Sequence, residues 1–384
     1  MKIGIDYIAT IGKGGNSTYS KNLIDSMVKL DRKNQYYFYG YVHDFFRGRF
    51  EFKKSQNVHW RPVFFSSLGL PVPQTIVRAC SAVSLRFWAK IDRLDVFHFT
   101  NPLYYVKGLK KNVVTIHDLS SFHNLEWSKG SSRLLFSKII KDIVTSSSVI
   151  AVSEYTKQDI IKTFGVNPDK ITVVHEAADP KKYYPDYNPE YLRDKFNLES
   201  YFLYVGQLQP RKNIINILLA YSRLSSDLKE KYPLVLVGNM RDENYSRLIH
   251  KTISEHKLES HVRILGPLDD DSVRKLYSGA RVLVFPSLFE GFGLPVLESL
   301  QCGTPVITSN TSSLPEVAGD AGVLVNPENG DEIYQALEKV LADEDFYRNL
   351  KGRSLTQAGK FSWEKATRET IAIYEKIFSG LKIV

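Results

Sequence analysis

"VLVFPSLFEGFGLPVLESLQCG" (residues 282–303) is the stretch that decides how this chain reads. It opens with an apolar run, VLVFPS at 282–287, and passes through the turn LFEGFG. It continues as LPVLESLQCG, whose Pro295 suits the first turn of a helix. A strand that feeds a helix through a glycine turn is part of a βαβ unit. The turn also carries chemistry. Glu290 lies just before the helix and Glu298 about one turn inside it. A carboxylate accepts hydrogen bonds from paired hydroxyls such as those of a sugar or ribose ring. Gly291 and Gly293 let backbone N–H groups face an anion at the helix start. The two glutamates can therefore hold two different diols with an anion between them. For Glu298 alone, a plain surface glutamate is a fair reading.

The same alternation runs through the chain. In the first half the runs KIGID (2–6), YYFYG (36–40), VFHF (96–99), VVTIH (113–117), VIAVS (149–153) and ITVV (171–174) read as strands. In the second half they are YFLYVG (201–206), LVLVG (234–238), VRIL (262–265), VLVFPS (282–287), PVIT (305–308) and GVLV (322–325). Most are apolar throughout, as strands covered on both faces are, and amphipathic stretches separate them. This is the pattern of an α/β chain with doubly wound parallel sheets. A chain of 384 residues exceeds what one core holds. The stretch HEAADPKKYYPDYNPE (175–190), rich in Pro, Asp and Tyr and without period, marks a boundary. The expectation is two Rossmann-like domains, 1–180 and 181–360, facing each other across a cleft at the carboxyl ends of their strands.

Composition is that of an ordinary globular protein, 43% apolar and 24% charged. No apolar run approaches the roughly 20 residues of a membrane span. MKIGIDYIAT reads as a first strand rather than a signal peptide. Cys80 and Cys302 match no metal-ligand spacing, and a cytoplasmic location is the simplest expectation.

The net charge of +9 is uneven: residues 1–180 hold 25 Lys and Arg against 15 Asp and Glu, and the rest 26 against 27. The basic first half suits an anionic partner, and a solvated basic surface is an equal reading. EFKKSQNVHWRPVFFSSLGLPVP (51–73) mixes Lys, Arg, His, Trp and Phe. QTIVRACSAVSLRFWAKIDR (74–93) can form a helix with Ile76, Val77, Val83, Phe87 and Trp88 alongside Arg78, Arg86, Lys90 and Arg93. Such a helix can lie on an anionic bilayer, or pack on a core with a basic outer face. Nucleic acid is not expected, because the repeated basic–aromatic stripes of a binding module are missing.

Other candidates sit where strands end. Gly12, Gly14 and Gly15 precede a helix beginning near Asn16–Ser17 and can admit a phosphate, although Ser17 stands where a dinucleotide fingerprint has its last glycine. A tight turn without a ligand explains these glycines equally. VVTIH delivers His117 and Asp118; His117 points toward a ligand or bonds to nearby backbone, and Asp118 orients it or caps the next segment. Ser153 reads as an N-cap. Gly206 ends a strand, and Arg211 and Lys212 open the next helix after Pro210. Cations there oppose the helix dipole, which a bound anion explains. Arg offers a planar fork and Lys a point charge to phosphate oxygens. No cluster of acidic metal ligands accompanies PRKN, so no catalytic metal is expected.

Taken in order, these motifs resemble a known family. The glycine turn at 12–15, TIHD at 115–118, VSE at 152–154, VGQLQPRKN at 205–213, the glutamates at 290 and 298, and SSLPEVAGDAG at 312–322 are similar to those of retaining glycosyltransferases of family 4, with the GT-B fold. The resemblance covers almost the whole chain. It implies that Glu298 holds the ribose of a nucleotide-diphosphate sugar and Glu290 the hydroxyls of the donor sugar. It implies that the backbone of Phe292, Gly293 and Leu294 lies against sugar and phosphate, and that Gly206 belongs to the same nucleotide-sugar site. Arg211 and Lys212 would bind the leaving diphosphate, Gly15 would approach it from the other domain, and His117 would contact the donor sugar. The helix in 361–384 would cross back to the first domain. The first domain would take a glycan or lipid-linked acceptor. Two departures stand out: Gln207 where members often carry arginine, and HEAADP where NG often precedes the linker. GDP-mannose is favoured as donor over a UDP-sugar. The alternatives are a nucleotide-sugar epimerase or an NAD-dependent oxidoreductase on a similar frame, and a non-catalytic basic binding protein.

Overall fold

Short apolar runs become parallel strands here because both of their faces are covered by helices. The computed structural model describes residues 1–12, 14–42, 44, 55–63, 74–109, 111–124 and 130–380, with the side chains at 74–79, 130–135 and 145–146 also outside the description. The first sheet contains β1 (Lys2–Ile5), β2 (Gln35–Tyr41), β3 (Val58–Val63), β4 (Val96–Phe99), β5 (Asn112–Ile116), β6 (Ser148–Ala151) and β7 (Ile171–Val173) in the order β3-β2-β1-β4-β5-β6-β7. The second contains β8 (Phe202–Val205), β9 (Leu234–Val237), β10 (Val262–Gly266), β11 (Val282–Phe285), β12 (Val306–Ser309) and β13 (Gly322–Val325) in the order β10-β9-β8-β11-β12-β13. Every pairing is parallel. Each sheet reverses its winding once, between β1 and β4 and between β8 and β11. Those switch points are where doubly wound sheets bind ligands, beyond the carboxyl ends of the strands.

The chain divides into two compact units. One comprises Met1–Glu176 and the chain from Trp363 onward, the other Ala177–Ser362. In the first, Tyr39, Phe97, Phe99, Val114, Ile116 and Ile140 belong to one buried cluster. The last helix, Trp363–Ser379, packs in this unit: Ser26 Oγ donates to the Trp363 carbonyl at 3.1 Å, and Tyr374 Oη meets His98 Nδ1 at 2.6 Å.

Three local features differ from the sequence reading. VHWRPV (58–63) is a strand, where the sequence offered only a basic, aromatic stretch; as the edge of its sheet it tolerates Pro62. The rest of that stretch, 51–54 and 64–73, lies outside the described residues. Arg211 and Lys212 do not open a helix. Pro210–Lys212 is a 3₁₀ turn, Asn213 has φ 64°, and the helix runs Ile214–Ser222. The glycine-turn helix starts at Gly15, one residue early, with Gly14 at φ 141° preceding it.

The helix Gln74–Asp92 turns Leu85 inward and leaves Val83, Phe87 and Ile91 exposed at 66%, 59% and 53%. Trp88 faces the protein, where its Nε1 donates to the Pro62 carbonyl at 2.9 Å and Arg61 stacks on its ring. The side chains of Ile76, Val77 and Arg78 lie outside the description. Among the described residues no helix is long and apolar enough to cross a membrane.

Candidate active site

The second sheet's switch point gathers two loops. The one after β8 carries Gly206 to Asn213, and the one after β11 carries Pro286 to Gly293. They are laced together. Leu288 N donates to the Arg211 carbonyl at 2.9 Å, Ser287 Oγ donates to the same carbonyl at 3.1 Å, and Asn213 Nδ2 donates to the Pro286 carbonyl at 3.0 Å. Ser313 Oγ donates to the carbonyls of Glu290 and Phe292 at 3.1 and 2.7 Å, and Ser312 Oγ accepts from Glu290 N at 3.2 Å. The glutamate turn is thus clamped by the loop that follows β12. Gly293 has φ 108°, and a Cβ there would stand 2.7 Å from Leu314 Cδ2, so only glycine fits. It caps the helix Leu294–Gln301, and backbone N–H groups at such a start lack intrahelical partners. The Phe292 ring packs edge-on to Phe361 at 5.7 Å, which leaves its backbone as the part able to meet a ligand.

Arg211, Lys212 and Glu290 come together in this unit. Lys212 Nζ donates to Glu290 Oε1 and lies 5.0 Å from the Phe285 ring centre; Arg211 Nη1 donates to the Phe289 carbonyl and lies 3.2 Å from Glu290 Oε2. Lys212 and Glu290 are both buried. Burial pushes the Glu290 carboxyl up, but the charges of Lys212 and Arg211 outweigh it and hold the carboxyl below its usual range. Two cations against one carboxylate leave one positive charge in excess among the three side chains, which suits an added anion.

Glu298 sits apart from this cluster, one turn into its helix. Tyr277 Oη donates to Glu298 Oε2 at 3.1 Å, and Tyr183 is a second hydroxyl partner. Burial pushes this carboxyl up to about 7 against both hydrogen bonds. A carboxylate poised this way gains from additional hydroxyl donors.

The first unit holds the remaining candidates. Gly15 is the first residue of the helix Gly15–Leu30, and the unusual conformation belongs to Gly14 beside it. His117 is buried at the end of β5, with Nε2 2.9 Å from the Thr100 carbonyl and Nδ1 3.1 Å from Glu176 Oε1. Asp118 accepts from Ser120 N and Oγ at 3.0 and 2.7 Å, so it caps the following turn. Ser153 caps its helix, accepting from Thr156 N at 3.0 Å. Among the described residues no group of three His, Cys, Asp or Glu side chains is arranged to hold a metal ion.

The two halves match two family descriptions: residues 14–182 match "Glycosyltransferase Family 4" and residues 193–355 match "Glycosyl transferases group 1". The O-antigen chain mannosyltransferase B of Escherichia coli is 34% identical over 293 residues, 75% of this chain and 76% of that protein. This chain is a family 4 glycosyltransferase. The serotype-specific mannosyltransferase WbdA of Escherichia coli is 33% identical over 280 residues, 71% of this chain, which span only 34% of its own length. Among solved structures, the sucrose-phosphate synthase from Thermosynechococcus elongatus aligns at TM-score 0.78 and 20% identity over 99% of both chains, a likeness of fold. Its two parallel-sheet, Rossmann-like units are those of a GT-B glycosyltransferase.

Several residues around this glycosyltransferase's candidate site escaped the sequence reading. Tyr183 and Tyr277 at Glu298, Ser287, and Glu176 at His117 carry no motif of their own. Ser312 and Ser313 belong to SSLPEVAGDAG, and their clamp on the glutamate turn depends on contacts that no local pattern shows.

Proposed function

We propose that this glycosyltransferase moves a hexosyl group, with retention of configuration, from a nucleotide-diphosphate sugar to a glycan or lipid-linked acceptor in cell-surface polysaccharide synthesis. The observation that carries this reading is the Arg211–Lys212–Glu290 cluster beside a helix start, with Glu298 one turn further on. Arg211 and Lys212 neutralise the departing diphosphate, and Glu290 accepts from hydroxyls of the sugar. Glu298 accepts from the ribose, and the backbone of Phe292, Gly293 and Leu294 follows sugar and phosphate. Gly206 allows the first loop its close approach. Gly15 and His117 serve the same donor from the first unit. The sugar C1–oxygen bond breaks with its electron pair going to the diphosphate. The acceptor hydroxyl then attacks the same face, and its proton leaves with the diphosphate. Positioning and electrostatics supply most of the barrier reduction, so no metal is required.

The names of the relatives favour mannose, and hence GDP-mannose, as the donor. Turnover tests this: GDP-mannose, UDP-glucose and UDP-galactose are offered with a membrane extract as acceptor, nucleotide release is measured, and the product anomer is read by NMR. Release from GDP-mannose with an α-linked product supports the reading; release from none of the three overturns it.

The acceptor side has its own supporting observation. Val83, Phe87 and Ile91 form an exposed apolar stripe at four-residue spacing, flanked by exposed Arg86, Lys90 and Arg93. This favours a peripheral contact with an anionic membrane on its cytoplasmic face. Sedimentation with vesicles containing phosphatidylglycerol, compared with neutral vesicles, tests it. Phe87→Glu should abolish a salt-sensitive binding, and equal sedimentation of both proteins would remove the membrane from the proposal.

A further inference from the structure

Glu176 is a buried carboxylate set against His117. Both residues are nearly inaccessible, at 4% and 7% exposure. Their contacts favour one arrangement of the protons. The Thr100 carbonyl, 2.9 Å from His117 Nε2, can only accept, so Nε2 carries a hydrogen. Nδ1 faces Glu176 Oε1 at 3.1 Å, within reach to donate to that carboxylate oxygen. A ring that donates from both nitrogens is an imidazolium. Burial alone would lower the His117 pKa, but Glu176 and the Thr100 carbonyl outweigh it and raise it above the ordinary histidine value.

The surroundings agree. The Tyr19 ring stands edge-on to His117 at 4.8 Å, and Asp118 follows it in the chain, its charge adding to the rise. The buried Asp6 accepts from Thr100 N at 2.7 Å and so anchors the residue whose carbonyl holds Nε2. His98 is held neutral, its pKa pushed down to about 3 by burial and by the charge of His117. Beside His117 lies a pocket of about 260 Å³ that also touches Asn16, Asn101, Leu103, Asp118 and Phe136. With both N–H groups engaged by the protein, His117 meets a ligand there as a fixed charge rather than as a hydrogen-bond donor.

We propose that Glu176 is a positioning residue for glycosyl transfer: it holds His117 as an oriented imidazolium whose charge acts on the reacting donor. The proposal rests on the reading that His117 serves the donor sugar.

The test uses the full chain with ¹⁵N-labelled histidine, and GDP-mannose as the turnover probe. In the wild type at pH 7.5, both His117 ring nitrogens should be protonated. In Glu176→Gln, Nδ1 should lose its proton at that pH. There kcat should fall about 10- to 100-fold, with KM for GDP-mannose within about twofold. Lowering the pH should recover activity, because the basic limb of the kcat profile moves to lower pH. Glu176→Asp keeps the charge and should restore much of kcat, and it maintains the test where the glutamine variant folds poorly. A purely structural role would lower the melting temperature without moving that limb. A neutral His117 in the wild type, or a wild-type pH profile in Glu176→Gln, would overturn the proposal. His117→Gln separates the two premises. Undiminished turnover in that variant would refute the donor-site reading of His117, while the nitrogen spectrum independently decides the ion pair.

Discussion

Replacing Lys212 with alanine perturbs two quantities through one side chain. Lys212 Nζ is bound to Glu290 Oε1 in a buried pair, and Arg211 Nη1 stands 3.2 Å from the other carboxylate oxygen. Removing one partner of a buried pair costs about 3–5 kcal/mol when nothing else compensates the orphaned charge. Here Arg211 remains, with an attraction of about 5 kcal/mol at its distance and an effective dielectric near 20. The carboxylate therefore stays ionised, and we expect a net stability loss of about 2–3 kcal/mol. For a unit of this size that is a fall in melting temperature of roughly 4–12 °C. The second quantity is nucleotide affinity. A charge-assisted hydrogen bond to a phosphate contributes about 1.5–3 kcal/mol, so the Kd for GDP or UDP should rise about 10- to 150-fold. Scanning calorimetry reads the first effect and titration calorimetry the second, with the nucleoside as a control that should be insensitive to the substitution. A lowered melting temperature with unchanged diphosphate binding would refute the phosphate role and leave Lys212 as the counter-ion of Glu290 alone.

Glu290→Gln should lower kcat about 10²- to 10³-fold while GDP or UDP binds as tightly as before or tighter, since it removes a negative charge beside the phosphate cations; steady-state kinetics and calorimetry separate the two. The double variant Lys212→Ala, Glu290→Gln should lose less stability than the two single losses added, with a coupling of about 1–3 kcal/mol by denaturant titration. Glu298, pushed up to about 7 when folded from an ordinary 4.5, takes up a proton on folding between those values. Its contribution to stability is therefore present below about pH 4.5 and is lost as pH rises to about 7, so Glu298→Gln should gain stability over the wild type from pH 5 to pH 8 by on the order of 2 kcal/mol. On the proposed ribose role, the wild type should gain nucleotide affinity between pH 6 and pH 8 as Glu298 ionises, and this variant should lack that rise. Gly293→Ala should cost on the order of 2 kcal/mol and weaken nucleotide binding, because φ 108° and the Leu314 contact force the turn to move; thermal melts with and without GDP check it.

The residues legible in the sequence were those whose chemistry is unusual for their place. Strands such as VLVF at 282–285 stand out because both faces are apolar, and their order along the chain implies parallel winding. A pair of glutamates about a glycine turn, and two cations just past a proline, are likewise conspicuous. What stayed hidden depends on partners distant in sequence. The 3₁₀ turn at 210–212 is held by Asn213, whose amide reaches the carbonyls of Pro286 and Pro327, residues that no local pattern connects to it. Strand β3 was missed because His59, Arg61 and Pro62 are poor strand residues; the edge position, visible only once the sheet is assembled, makes them acceptable. Tyr183 and Tyr277 look like core aromatics, and their hydroxyls acquire meaning only from meeting Glu298.

The arrangement of charge explains why Glu290 belongs inside the site at all. Arg211 and Lys212 adjoin in sequence, and with Lys212 buried they would repel each other and point toward water without a counter-ion. Glu290 draws both to one place before any ligand arrives, so the cations start close to where a diphosphate would need them. Its carboxylate has one oxygen on Lys212 and the other nearer Arg211, which also fixes the carboxylate's own direction. The backbone of the turn is pinned by Ser312 and Ser313, which limits how far the carboxylate can follow the cations if they shift. On the roles proposed above, a donor that draws the cations outward would free lone pairs on Glu290 for sugar hydroxyls to fill. On the proposed roles, diphosphate and sugar would then bind cooperatively, each improving the site for the other, through a carboxylate that is counter-ion in the empty site and would be hydroxyl acceptor in the filled one.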